Sequence, residues 1–152
     1  LHSEINSSLP FVQDNLSFSK KNVLRGLHFQ KPPHSQAKMV MAITGKIQDV
    51  VVDLRENSST FLQTFSCELV SEQPSALLIP EGFAHGFLAL EDSHFFYKCT
   101  NYYHPTHETG IIWNDPKLNI QWGASNPILS EKDSQLQSLD EFLRKSVISR
   151  KY

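Results

Sequence analysis

Two histidines, a tyrosine and two cations could carry out proton-transfer chemistry in this sequence. His28 and His85 lie in short apolar stretches, and imidazole is the side chain that titrates nearest to neutral pH, so both are candidates to move protons. Tyr97, if buried beside a cation, could donate a proton to a carbanion. Lys38 together with His85 could stabilise an oxyanion, because fixed donors at a developing negative charge are usually the largest catalytic contribution. Arg25 could hold a small anion.

Each of these residues also has an ordinary structural explanation. A single His or Tyr in an apolar strand is more often a packing residue, Arg25 and Lys38 could be surface charges, and Glu108 could be a solvated acid in a loop. Strict alternation along a strand also places Arg25 and His28 on opposite faces. Gly26 between them could permit a β-bulge that turns both side chains inward.

Short β-like segments separated by Gly and Pro fill most of the chain and predict an all-β protein with a closed or sandwiched antiparallel β-fold. The strand candidates are 38–43, 47–55, 60–70, 75–80, 82–90 and 93–103. The first two flank Gly45 and predict a β-hairpin with its turn at that glycine. Regular alternation within 93–103 predicts that Phe95, Tyr97 and Cys99 share a face.

A helical pattern is found only near the C-terminus, at 138–148. Leu139, Phe142, Leu143 and Val147 recur at helical spacing there, and Ser138 with Glu141 forms a capping-box pattern. The chain shows no fixed-period repeat, low-complexity segment or linker, so residues 1–152 are predicted to form one domain.

Composition narrows the class of protein. The chain has 152 residues, 39% of them hydrophobic, and a formal net charge of -2. Its Lys and Arg residues are scattered, which argues against nucleic acid as a partner. No apolar run approaches the ~20 residues of a membrane span, and no signal peptide is recognisable. We therefore expect a cytoplasmic protein in which Cys67 and Cys99 are buried, reduced thiols. Because the chain begins with Leu1, we expect that a preceding segment is missing.

A metal site is not predicted. Residues 79–89, IPEGFAHGFLA, contain the Pro-x-Gly-x-x-His core of a second cupin motif, but Ala89 stands where a metal-binding cupin has Asn. The stretch around His28 lacks the His-x-His pair of the first cupin motif. Three or four convergent ligands are needed to hold a divalent ion, so we predict a cupin-like barrel without a metal.

Eight motifs in order resemble those of the dTDP-4-dehydrorhamnose 3,5-epimerase family, metal-free cupin enzymes of L-rhamnose biosynthesis. They are FVQDN (11–15), VLRGLHFQ (23–30), QAKMV (36–40), DVVVDLR (49–55), IPEGFAHGF (79–87), YKCTNYY (97–103), ETGIIWNDP (108–116) and PILSEKD (127–133). The resemblance implies a cupin-type jelly roll, a double-stranded antiparallel β-helix, with a short C-terminal helix. It also implies that an N-terminal strand of the family is missing here, since residues 1–10 do not match.

The resemblance implies a role for each matching residue. His28 matches the general base, Tyr97 the proton donor on the opposite face of the sugar, and Asp133 the acid that orients the base. Lys38 and His85 match residues near the keto oxygen of the substrate. The other implied substrate contacts are Gln13, Asp14 and Asn15 in a nucleotide-binding strip, Arg25 at the diphosphate, Glu108, and Lys132.

The implied reaction is epimerisation of dTDP-4-dehydro-6-deoxy-D-glucose at C3 and C5, without a cofactor. The implied setting is a cytoplasmic homodimer that serves dTDP-L-rhamnose and lipopolysaccharide biosynthesis and binds neither membrane nor nucleic acid. Inversion at C3 alone, another 4-keto nucleotide sugar, or an inactive cupin that only binds a sugar nucleotide remain alternatives. A metal-dependent cupin enzyme is a further alternative. His34, beside the two prolines, is expected to face solvent.

Overall fold

A computed structural model shows an antiparallel β-structure closed by a C-terminal helix. It describes residues 10–148, with side chains as far as Lys145. The described strands are β1 (Gln13–Ser19), β2 (Leu24–Gln30), β3 (Lys38–Thr44), β4 (Lys46–Asp53), β5 (Thr64–Val70), β6 (Leu77–Ile79), β7 (Phe83–Ala89), β8 (Ser93–Cys99) and β9 (Glu108–Gly110). The helices are α1 (Glu131–Ser134) and α2 (Leu139–Ile148).

The strands form two sheets that face each other. The four-stranded sheet has the order β1-β8-β3-β6, the five-stranded sheet has the order β5-β4-β7-β2-β9, and neighbouring strands are antiparallel. Apolar side chains from both sheets meet between them, among them Val40 and Phe95 from one sheet and Ile47 and Phe87 from the other. This arrangement, together with the short C-terminal helix, confirms the predicted all-β, cupin-like jelly roll.

The five-stranded sheet is covered on its outer side as well. Val50 and Val52 of β4 pack there with Ile111, Leu118 and Leu139, away from the space between the sheets. Each fully buried aliphatic side chain contributes about 1.5–3 kcal/mol relative to an exposed one. Burial of both faces explains why the second half of β4 is buried throughout and does not show the alternation of a strand with one wet face.

The predicted β-hairpin around Gly45 is wrong. β3 pairs with β6 and β8, whereas β4 pairs with β5 and β7, so the chain passes from one sheet to the other at this glycine. Gly45 has a φ of 72°, and a Cβ there would lie 2.4 Å from the carbonyl oxygen of Asp92. Because a corner between sheets and a hairpin turn both select Gly, the local sequence does not distinguish them.

The predicted bulge at Gly26 is confirmed. The pairing of β2 with β7 shifts register between Arg25 and His28, and Gly26 has a φ of 119°. A Cβ at this position would lie 2.6 Å from the Cα of Gly86 on β7. Glycine is therefore required both by the backbone conformation and by the close approach of the two strands.

The C-terminal helix closes the outer core as predicted. Leu139 is buried, and Phe142 and Leu143 pack against the same cluster, while Val147 lies outside the described side chains. The amide of Ser138 donates to the carboxylate of Glu141, and the amide of Glu141 donates to Ser138 Oγ at 3.2 Å, which completes the predicted capping box.

Both cysteines are free thiols, as predicted, although Cys67 is only partly buried. In the described part of the chain, neither helix combines the length and the apolar character that crossing a membrane requires.

Candidate active site

A cavity of about 290 Å³ lies between the two sheets, and strands of both contribute to its lining. It is lined by Ser17, Arg25, His28, Lys38, His85, Gly86, Phe87, Phe95, Tyr97, Ser130, Lys132 and Asp133. Seven of these twelve residues were candidates from the sequence. Their convergence from distant segments is the first indication that they act together, because an apolar pocket with a few convergent polar groups is typical of a small-molecule site.

His28 is held by a carboxylate from the far end of the chain. Its Nε2 lies 2.5 Å from Oδ1 of Asp133, which is 3% exposed. A carboxylate accepts hydrogen bonds, so Nε2 carries the proton and Nδ1 is left free to take one. This is the pairing that the resemblance implied for Asp133, and the geometry suits a general base with a fixed tautomer.

Asp133 is kept ionised by its surroundings. Burial alone would raise the pKa of Asp133, but hydrogen bonds from His28, Ser130 and the Gly26 backbone outweigh burial, so the pKa lies below its usual value. Ser130 is also the N-cap of α1, where its Oγ accepts from the Asp133 amide at 3.0 Å. Ser130 was not predicted, since a Ser before a four-residue helix is too weak a signal.

His85 lies directly opposite His28 in the pairing of β2 with β7. Its Nε2 lies 2.9 Å from Oδ2 of Asp49, and both side chains are buried. Asp49 was not predicted as a site residue. The available signal was its charge on an otherwise apolar strand, because a buried carboxylate needs a partner. Oδ1 of Asp49 has no hydrogen-bond partner among the described residues, so His85 is the only group there that bonds this carboxylate.

Two cations face the cavity without an acidic partner. Across the described residues, Lys38 and Arg25 form no salt bridge, and the Nε of Arg25 donates only to Ser19 Oγ at 3.2 Å. Burial lowers the pKa of Lys38, and Cys99 foremost among nearby groups opposes that shift only in part. An ammonium group that is buried without a carboxylate partner suits a ligand that brings or develops negative charge.

Tyr97 enters the cavity from the other sheet. It lies on β8, where it pairs with Asn15 of β1 and Val40 of β3, and its ring is 5.6 Å from that of Phe95. Burial is the main reason that the pKa of Tyr97 lies above its usual value. The phenol therefore keeps its proton at neutral pH and can act as a donor. As predicted, Phe95 and Tyr97 share the inward face.

A second cavity of about 340 Å³ adjoins the first, and the two share Lys38, Tyr97 and Lys132. Gln13, Asn15, Gln36, Cys99, Tyr103 and Glu108 complete its lining. Gln13 Nε2 donates to Asn15 Oδ1 at 2.9 Å, and Gln13 Oε1 accepts from the Tyr103 amide at 2.8 Å. Polar side chains and an exposed aromatic ring suit recognition of a polar, flat group.

Glu108 and Lys132 form an ion pair at the boundary of the two cavities. Burial would raise the pKa of Glu108, but the hydrogen bonds from Lys132 and Tyr103 and the positive charge of Lys132 together lower it. Tyr103 donates to Glu108 at 3.0 Å. Both predicted contacts therefore lie at the site as a bonded pair.

Asp14 is a correction to the predicted strip. Alternation along β1 points Gln13 and Asn15 inward but leaves Asp14 exposed on the outer face, where it bonds Lys98 at 2.5 Å. Neither cavity includes it. The motif named three consecutive residues, whereas a strand can present only the first and third to one side.

The arrangement suits removal of a proton from one face of a ligand bound between the sheets and delivery of a proton to its other face. A base, His28, stands on the five-stranded sheet, and a protonated phenol, Tyr97, stands on the four-stranded sheet, with Lys38 beside it. His28 and His85 each direct one nitrogen to a different carboxylate, and the side chain of Ala89 has no donor atom for a metal.

Comparison with known proteins identifies relatives of this chain. The family model described as dTDP-4-dehydrorhamnose 3,5-epimerase matches residues 2–141, a longer segment than the motifs at 11–133, so the prediction that residues 1–10 do not match is wrong for most of that stretch. The enzyme of that name from Escherichia coli strain K12 is 50% identical over 141 residues, which cover 91% of this chain and 76% of the relative.

Two solved structures are also similar. The dTDP-6-deoxy-D-glucose-3,5-epimerase of Legionella pneumophila, in complex with dTDP-4-keto-L-rhamnose, has a TM-score of 0.84 and 44% identity, covering 88% of this chain and 72% of that chain. A 3'-monoepimerase from Streptomyces bikiniensis in complex with dTDP-quinovose has a TM-score of 0.86 at 32% identity, covering 91% and 71%. The chain therefore belongs to the dTDP-4-dehydrorhamnose 3,5-epimerase family.

Proposed function

We propose that this protein epimerises dTDP-4-dehydro-6-deoxy-D-glucose at C3 and C5 to give dTDP-4-dehydro-L-rhamnose. The observation that carries the proposal is the placement of His28 and Tyr97 on opposite sheets around one cavity. Inversion of a carbon centre needs a base on one face and an acid on the other. Family membership supports the substrate class, since relatives at 44–50% identity carry this activity in their names.

The chemistry follows from the ketone at C4 of the sugar. The ketone acidifies the hydrogens on C3 and C5, because the carbanion formed at either carbon delocalises into an enolate. His28, with Nε2 bonded to Asp133, takes the proton. Lys38 and His85, the latter positioned by Asp49, stabilise the enolate oxygen by charge and hydrogen bonds. Tyr97 returns a proton on the opposite face.

The nucleotide part of the substrate is assigned to the charged and polar groups around the reacting centre. Arg25 contacts the diphosphate, because a guanidinium without an acidic partner suits phosphate oxygens. Gln13 and Asn15 line the second cavity and bind the nucleoside, with Glu108 and Lys132 at its border. Asp14 has no place in this assignment.

The test is exchange with solvent during turnover in heavy water. The wild-type protein incorporates deuterium at C3 and C5, and NMR of the product shows inversion at both carbons. His28→Ala abolishes incorporation, whereas His94→Ala, which removes an exposed His from the outer surface, leaves it intact. Full exchange in His28→Ala overturns the assignment of the base.

Tyr97→Phe separates abstraction of the proton from inversion. The base is intact in this variant, so deuterium still enters the substrate, but the proton returns to the face from which it left and inversion falls by at least tenfold. Tyr102→Phe is the matched control, because Tyr102 is 65% exposed and loses the same hydroxyl. Equal inversion by both variants would assign the acid to another group.

Inversion at C3 alone is the second candidate, since a 3'-monoepimerase is among the similar structures. The same base, acid and cations serve one inversion or two. The NMR coupling constants of the product distinguish the outcomes, because inversion at C5 changes the ring conformation. Binding without deuterium exchange would instead identify an inactive sugar-nucleotide-binding protein.

A homodimer is proposed from the outer face of the four-stranded sheet. Leu16 and Phe18 on the edge strand β1 and Ile43 on β3 are between 47% and 64% exposed, and an apolar patch of this kind marks an association surface. Sedimentation equilibrium should give twice the chain mass, and the double variant Leu16→Arg/Phe18→Arg should give the mass of the monomer.

The two free thiols suit a cytoplasmic setting. The proposed product belongs to dTDP-L-rhamnose biosynthesis, and a link to lipopolysaccharide stays a prediction.

A further inference from the structure

Three histidines meet outside the cavities described above. His34 lies in the loop between β2 and β3, while His104 and His107 lie in the segment between β8 and β9. The rings of His34 and His104 stack with centroids 3.9 Å apart, and the ring of His107 is 4.4 Å from His34 and 4.5 Å from His104. His34 is half-buried in this cluster, so the expectation that it faces solvent is met only in part.

The backbone that carries the three imidazoles is held by hydrogen bonds. The side chain of Gln30, 7% exposed, donates to the carbonyl of His34 at 2.7 Å and accepts from the amide of His104 at 2.6 Å. The amide of Lys31 donates to the carbonyl of His107 at 2.9 Å. The two loops are therefore fixed relative to each other before any ligand arrives, which lowers the entropic cost of binding.

The donor atoms are close enough to share one ion. One nitrogen from each of the three rings lies within 4.8 Å of the other two. Tetrahedral ligands on zinc–nitrogen bonds of about 2.0–2.1 Å lie about 3.3 Å apart, so shifts on the order of 1 Å, within reach of side-chain rotation, close the set. In the described part of the chain, no other group of three or more His, Cys, Asp or Glu side chains meets the same distance.

The donor atoms indicate the class of metal. Neutral imidazole is the form that ligates, and it prefers zinc, copper and nickel over magnesium or calcium. Thr106 Oγ1 lies 3.1 Å from Nδ1 of both His104 and His107.

We infer that His34, His104 and His107 form a binding site for one divalent transition-metal ion of the zinc class, with solvent completing the coordination. The site is separate from the epimerisation chemistry and does not depend on the proposed function. Its physical effect is to cross-link the β2–β3 loop to the segment before β9. Since the folded chain brings the ligands together, the ion stabilises the folded state in proportion to its occupancy.

The test is zinc binding to the full chain, purified without a polyhistidine tag and treated with a chelator. Competition with a chromophoric chelator at neutral pH measures affinity and stoichiometry for the wild type, His104→Ala and His34→Gln. His94→Ala is the matched control, because it removes an exposed His that lies outside the cluster. Melting in the presence of the chelator establishes that each variant is folded.

We expect one zinc ion per chain in the wild type and in His94→Ala, and at least a tenfold loss of affinity in both cluster variants. Added zinc should raise the melting temperature of the wild type and not that of His104→Ala. Cobalt should give the visible absorption bands of a tetrahedral nitrogen site in the wild type. No binding by the wild type, or unchanged affinity in both cluster variants, overturns the inference.

Discussion

Replacing Asp133 by Asn tests whether this carboxylate supports the charge that His28 acquires when it takes a proton. The substitution preserves the size and shape of the side chain but removes the charge. The pair is well shielded from water, with side-chain exposures of 23% for His28 and 5% for Asp133, so the interaction is not screened as a surface pair would be. Asp133 does not contact the reacting carbon in this proposal and acts through His28.

The expected magnitude follows from the geometry of the pair. Two unit charges about 4 Å apart at an effective dielectric constant of about 20 interact with about 4 kcal/mol. A neutral amide retains a hydrogen bond worth about 1 kcal/mol. The net loss of about 3 kcal/mol corresponds to about a 100-fold fall in kcat. If the Asn amide donates to Nε2, Nδ1 carries the proton, and the wrong tautomer lowers the rate further.

The assay is the initial rate of epimerisation together with deuterium incorporation at C3 and C5. We expect kcat to fall about 100-fold or more with little change in KM, and exchange at both carbons to fall by the same factor. Asp14→Asn is the matched control, because its exposed carboxylate bonds Lys98 outside both cavities, and its rates should stay within about twofold. A kcat for Asp133→Asn above one third of wild type, or an equal loss in Asp14→Asn, would refute the reasoning.

Three further predictions concern charge and backbone geometry. Lys38→Met should lower kcat by about 10²–10³, as loss of an oxyanion donor does, yet raise the melting temperature, because it removes a desolvated charge without an ionic partner; a fall in both would contradict this account. Gly26→Ala should destabilise the fold by about 3 kcal/mol or more in urea unfolding, because the new Cβ would lie 2.6 Å from a backbone atom. Gly123→Ala is the control and should destabilise the fold much less, because the nearest atom to its new Cβ is a methyl group of Leu90 at 3.1 Å. Asp53→Asn should lower the free energy of unfolding by about 2 kcal/mol at pH 7. The hydrogen bond from Arg55 holds the pKa of Asp53 below its usual value in the folded protein. The wild type should therefore be more stable than the variant by the full amount above the unfolded-state pKa of about 4, and the difference should shrink as the pH falls below it. An Asp53→Asn deficit that grows toward low pH would reverse this sign.

Local signals predicted the inward face of β8, the bulge at Gly26 and the C-terminal helix with its capping box. These features depend on spacing within about ten residues, where pleat, propensity and capping act directly. The pairing of His28 with Asp133 spans 105 positions, and only the resemblance to a family indicated it. The spacing of residues along the chain carries no information about a contact that forms only when distant strands and helices pack together.

The failures have the same physical origin. Gly45 satisfies a corner between sheets as well as a hairpin, so partner choice depends on strands far away in sequence. Asp49 can bond His85 only because β4 and β7 are neighbouring strands; His85 pairs with Val51, two residues from Asp49 on β4. Asp14 was assigned by its position in a motif, and the pleat of β1 turned it outward. Tertiary pairing decides each of these outcomes.

The bulge in β2 has a consequence for how the chain tolerates insertions and deletions. Because the register shifts between Arg25 and His28, removing one residue there would turn His28 and the rest of β2 to the opposite face of the sheet. The segment between β5 and β6, by contrast, is exposed at residues 72–76, and because the two strands belong to different sheets, a change of length there leaves both in register. Variation in chain length is therefore compatible with activity in that loop, and β2 is the strand whose residue count the site requires to be constant.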